Sequence, residues 1–150
     1  MFTIIHPHEL TEPQRNWLAI AICGAIIADG NIAPEEIRYL EQALSFLSSQ
    51  TKVDAMIEAV KTQQLPPLHK FPNGSRQQEV QILLELSLIL SSDMELSTRE
   101  MDFLFQAGLQ LGFPRDFIKI IIKWAGEGIV WKRKMEALIQ AGSELKACYE

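Results

Sequence analysis

The sequence predicts an all-helical domain built from a duplicated helix–turn–helix unit, and three observations carry that prediction. Apolar residues recur with helical and not alternating spacing, proline- and glycine-marked turns separate the apolar runs, and one unit returns 64 positions later. The first copy spans Trp17 to Leu47: an apolar run WLAIAICGAIIA, an acidic turn from Asp29 to Glu36, then the amphipathic run IRYLEQALSFL. Adding 64 maps Asp29 onto Asp93, Glu36 onto Glu100, Leu40 onto Leu104 and Ala43 onto Ala107, all identical, while Ile22/Leu86, Ile26/Leu90 and Leu47/Leu111 agree in kind. The expected architecture is therefore about seven helices in two pseudo-two-fold halves, 11–62 and 75–141, joined by a loop over 63–74 within one domain.

Each element follows from local chemistry. Residues 1–10 read as an extended arm carrying Phe2, Ile4 and Ile5 against the body. Thr11-Glu12-Pro13-Gln14 is a capping-box pattern with proline in the first turn, so the first helix starts there. Its isoleucines surround the axis, which predicts burial on most sides. Asp29-Gly30 ends it, and Pro34 with Glu35-Glu36 starts a second helix whose inward stripe is Ile37, Leu40, Leu44 and Leu47. Thr51 is the expected cap of a third helix, which ends before Pro66-Pro67. Ser75 and Ser97, with Gln78 and Glu100 three residues on, cap a fourth and a fifth helix. Gly112-Phe113-Pro114 ends the fifth, and a sixth begins near Arg115. Gly126 and Gly128, each costing about 1 kcal/mol relative to alanine, are expected to kink or break it before a last helix over 129–141.

Composition excludes several functions. A net charge of −5 argues against a nucleic-acid partner, because neutralising phosphates needs a basic surface. The longest apolar run, Trp17 to Ala28, is shorter than the ~20 residues a membrane span requires. The N-terminal residues lack the basic start of a signal peptide, so a cytoplasmic location is expected. Cys23 and Cys148 suggest no disulfide framework. No phosphate-binding glycine loop, nucleophile elbow, HExxH or CxxC is present, so the standard catalytic signatures are missing.

The candidate chemistry lies in the two acidic turns. Asp29 and Asp93 each follow an apolar helix, where the dipole is negative and a carboxylate costs a few tenths of a kcal/mol. Either each aspartate accepts backbone N–H groups in its own turn, or the two turns share a cation. Glu36 and Glu100 complete an Asp-x6-Glu pattern that occurs twice, so the candidate metal ligands are Asp29, Glu36, Asp93 and Glu100. Glu100 also has a local reading, since a glutamate three residues after a capping serine is expected for helix initiation alone. An all-oxygen set suits Mg²⁺ or Ca²⁺ better than Zn²⁺. The turns are not EF-hands, because twelve-residue loops from Asp29 or Asp93 end at Leu40 or Leu104 instead of a bidentate glutamate.

The segment IIADGNIAPEEIRYLEQAL, and more weakly LILSSDMELSTREMDFLFQAG, resembles the TerB-like family, over about residues 16–111. That family includes tellurite-resistance proteins and the N-terminal domain of a membrane-anchored co-chaperone. The resemblance implies an all-helical duplicated bundle with a metal-binding acidic cluster, here Asp29, Glu36, Asp93 and Glu100. It also implies a bacterial stress-response setting with protein partners near the inner face of the membrane. Met94 stands where the family carries glycine, and His6-Pro7-His8 is not followed by the aspartate of a J-domain, so the resemblance does not extend to co-chaperone activity.

The function expected from these residues is a non-enzymatic binding module of the tellurite-resistance type. The alternatives are a metal-dependent phosphoesterase and a small aromatic-ligand binder using Trp17, Trp124 and Trp131. Core packing is the competing role of those tryptophans. A solvated face is the competing role of Lys132-Arg133-Lys134, which could otherwise meet acidic lipid.

Overall fold

The computed structural model describes residues 2, 4–30, 33–91 and 95–149, with the Asp29 side chain outside the description. Six α-helices and one short 3-10 turn carry these residues: η1 (Pro7–Glu9), α1 (Glu12–Asp29), α2 (Pro34–Ala43), α3 (Gln50–Thr62), α4 (Arg76–Leu90), α5 (Thr98–Gln110) and α6 (Arg115–Ser143). No strand occurs among the described residues, as the helical periodicity requires.

The caps are where the sequence places them in α1, α4 and α5. Thr11, Ser75 and Ser97 each accept the N–H of the residue three positions on, and the Gln14, Gln78 and Glu100 side chains return the bond. Gly30 (φ 79°) and Gly112 (φ 81°) supply the left-handed conformation after α1 and α5.

Three expectations are corrected. The cap of α3 is Ser49, whose hydroxyl accepts the Lys52 N–H, and Thr51 lies inside the first turn. The second helix stops at Ala43 instead of running to Leu47, yet Leu44 and Leu47 stay buried on the turns that follow. Above all, α6 is one helix of 29 residues with no break at Gly126 or Gly128. Two glycines cost only about 2 kcal/mol relative to alanine, and buried Ala125 and Ile129 hold the backbone on either side of them.

The core forms around α1, which packs against α3, α4 and α5, and around α5, which packs against α1, α4 and α6. Trp17, Leu18, Ala21, Ile22, Cys23 and Ala25 are all buried, so α1 is covered on nearly every side. Two glycines set the closest approaches. A Cβ at Gly24 would stand 2.5 Å from Phe103 of α5, and one at Gly108 would stand 2.7 Å from Ile118 of α6. Matched positions of the two units share burial, since Leu40/Leu104, Ala43/Ala107 and Ile22/Leu86 are all inside. The packing does not repeat, because α5 sits centrally whereas α2 has α3 as its principal neighbour.

The arm is fastened by a residue the apolar pattern hides. Glu85, buried in the middle of α4, accepts the backbone N–H groups of Ile4 (2.8 Å) and Ile5 (3.2 Å). Phe2 meets Phe46 edge-on at 5.9 Å. The loop between α3 and α4 is fixed too: Trp17 Nε1 donates to the His69 carbonyl, Gln14 to those of Pro72 and Asn73, and Phe71 packs edge-on against Trp17.

Replacing Gly108 with alanine should destabilise the fold by about 1–3 kcal/mol, because the Ile118 side chain must shift in a filled core. Urea unfolding with an unchanged m-value measures it. Glu85→Ala should cost a similar ~1–3 kcal/mol by leaving two arm N–H groups unpaired.

Candidate functional site

The carbonyl end of α1 and the first turn of α5 meet at the first acidic turn. Gly30 N–H closes α1 on the Ile27 carbonyl, and Arg99 Nη2 reaches the same carbonyl at 3.5 Å. A guanidinium from the second unit thus stands at the negative end of the first unit's apolar helix, where a cation is favoured by a few tenths of a kcal/mol at an exposed position. The sequence asks for something to compensate that helix end, and Arg99 does so in part.

The four candidate ligands have different surroundings. Asp29 is the last residue of α1, and Asp93 lies outside the described residues. Glu36 is half-buried in the first turn of α2. Its charge is felt at Tyr39, whose phenol is held above its ordinary value by burial first, then by Glu85 and Glu36. Glu100 is buried and accepts the Ser97 N–H at 3.1 Å, so its local reading as a capping residue holds. Among the described residues no three His, Cys, Asp or Glu side chains are grouped to hold a metal ion. The side chains of Asp29 and Asp93, which would be the centre of any shared site, lie outside the described residues.

The second helix end served by an arginine is that of α5. Arg76, the first residue of α4, donates to the carbonyls of Leu111 (3.0 Å) and Gly112 (2.9 Å) and lies over the Phe113 ring at 4.9 Å. Lys70, Phe71, Gly74 and Glu79 border the open groove beside it.

The tryptophans do not share one role. Trp17 is a core residue with its indole N–H satisfied, whereas Trp124 and Trp131 are exposed on α6, against the expectation that all three pack inside. Periodicity failed here because α6 carries two apolar faces and only one meets the body. Cys23 is sealed in α1, and burial pushes its thiol up to about 12, while Cys148 is exposed. No described helix is long and apolar enough to cross a membrane.

Comparison of the chain with protein-family models, with curated proteins and with solved structures finds no match.

Glu100→Ala should lower stability by about 1–2 kcal/mol, whereas Glu100→Gln, which keeps the capping-box acceptor, should stay within about 0.5 kcal/mol of wild type. Equal losses in the two variants would assign Glu100 a role for its charge. A thiol reagent at pH 8 should modify one cysteine of the native protein and two after denaturation. Rapid reaction of both in the native state would mean that α1 opens readily.

Proposed function

We propose that the chain is a non-catalytic binding module of the tellurite-resistance, TerB-like type, acting in stress physiology through protein partners. In this reading the two acidic turns form a divalent-cation site from Asp29, Glu36, Asp93 and Glu100, suited to Mg²⁺ or Ca²⁺. Its setting is the cytoplasm, close to the inner face of a bacterial membrane.

The observation that carries it is the junction between the units. Arg99, two residues after the Ser97 cap of α5, spans to the Ile27 carbonyl beside Gly30. The end of α1 and the start of α5, one helix end from each turn, therefore adjoin, which supports a common electrostatic environment. The repeated Asp-x6-Glu pattern supplies carboxylates on both sides of that junction. Metal bound there would tie the end of α1 to the start of α5 and so stiffen the main inter-unit contact.

Melting temperatures of wild type and Asp29→Ala/Asp93→Ala, after chelation and with Ca²⁺, Mg²⁺ or Zn²⁺ added, test the cation site. One ion at a hundred times its dissociation constant should stabilise wild type by about 2.7 kcal/mol and leave the double variant unmoved. No ion effect on wild type would remove the metal from this reading and leave the aspartates as turn residues.

A further inference from the structure

Beyond Ile129 every described residue is exposed, so the last four turns of α6 project about 20 Å past the body. The body-facing stripe of α6 is Ile118, Ile121, Ala125 and Ile129. A second stripe, Ile120, Trp124, Trp131, Met135 and Leu138, lies ~130° away around the helix at 100° per residue. It is uncovered along its whole length: Ile120 is 61% exposed, Trp124 43%, Trp131 71%, Met135 46% and Leu138 73%. A single surface aromatic needs no explanation, but a continuous stripe with two tryptophans does.

We propose that this stripe is the interface of a homodimer in which α6 of one copy packs antiparallel against α6 of a second copy. Three observations select a second copy as the occupant. The first is area. With Ile139 at its edge the stripe exposes about 800 Å², and ~800 Å² is what one partner gives to a stable interface.

The second is volume. Residues 124, 128, 131, 135, 138 and 142 follow the alternating four- and three-residue spacing of a helix-pair seam, and two of them are glycines. A Cβ added at Gly128 or Gly142 would meet nothing within 4 Å, so no contact inside the chain explains either glycine. In a parallel pair Gly128 faces Gly128 and Trp131 faces Trp131, a void beside a clash. In an antiparallel pair centred on the stripe, Trp131 of each copy lies over Gly128 of the other and Trp124 meets Met135, so large residues face small or pliable ones.

The third is charge. Glu127 and Lys134 border the same edge of the seam seven residues apart, and neither has an ion-pair partner among the described residues. The antiparallel register sets Glu127 of each copy beside Lys134 of the other, twice per dimer. The same features disfavour a lipid surface: Glu127 borders the stripe, and consecutive Lys132, Arg133 and Lys134 are spread around the helix instead of lining the stripe as a basic belt.

Sedimentation of the full chain from about 1 to 100 μM tests this. Wild type should run at twice its 17.0 kDa mass. Trp131→Glu, at an exposed position that leaves the core intact, should weaken dimerisation by about a hundredfold or more. Gly128→Leu should weaken it at least about tenfold while helicity is kept or raised, the reverse of a purely intrachain effect. Glu127→Lys and Lys134→Glu should each weaken the dimer, and the double variant should recover it. A monomeric wild type overturns the proposal, as does a dimer indifferent to Trp131→Glu and Gly128→Leu. Failure of the charge-swapped double variant to recover overturns the antiparallel register. Binding of monomeric wild type to phosphatidylcholine/phosphatidylglycerol vesicles, lost in Trp131→Glu, overturns it in favour of a membrane surface.

Discussion

The rest of the structure depends on how closely α1 and α5 approach. Gly24 presents no side chain, and the Phe103 ring occupies the place where a Cβ would be. That contact lets α5 join α3 and α4 in covering the most apolar helix of the chain. It also brings the carbonyl end of α1 to the capped start of α5, so the position of the candidate site is a consequence of core packing. Dispersion contacts in a filled interior are lost steeply with small gaps, which makes this approach a structural constraint and not a convenience.

A second theme is the use of arginines to finish helices they do not belong to. Arg99 serves the end of α1 and Arg76 the end of α5, each from the first turn of another helix. Orphan carbonyls and the negative end of the dipole are satisfied together by one guanidinium, whose fork can serve two acceptors. At the α1 end this leaves a cation already in place beside the acidic turn. A metal ion at the proposed site would have to coexist with the Arg99 cation. The two helix ends differ in degree: Arg76 serves two carbonyls at the end of α5, and Arg99 reaches one at the end of α1.

The last helix joins two surfaces that serve different purposes. Its inner face completes the core under α4 and α5. Its outer face continues the same apolar character into solvent, past the point where the body ends. A helix extending that far with three glycines and an uncovered stripe has little reason to persist in water through its own propensity. Burying that stripe against an identical helix supplies the tertiary support that isolated helices lack.

Much of the architecture was legible in the sequence. The caps at Thr11, Ser75 and Ser97, the left-handed stops at Gly30 and Gly112 and the near-total burial of α1 are all local in origin, fixed by hydrogen-bonding residues and apolar period within a few positions. The repeat was legible as a pattern of burial, with Leu40/Leu104 and Ala43/Ala107 inside, but its packing was not, since α2 and α5 have different neighbours. The role of Glu85 in holding the arm was not legible, because its partner Ile5 lies 80 residues away. The continuity of α6 and the exposure of Trp124 and Trp131 were decided only by the tertiary structure. Local sequence determines which segments become helices and, through their caps, where most of them start. Which face of a helix is covered, and by what, depends on the space its neighbours leave.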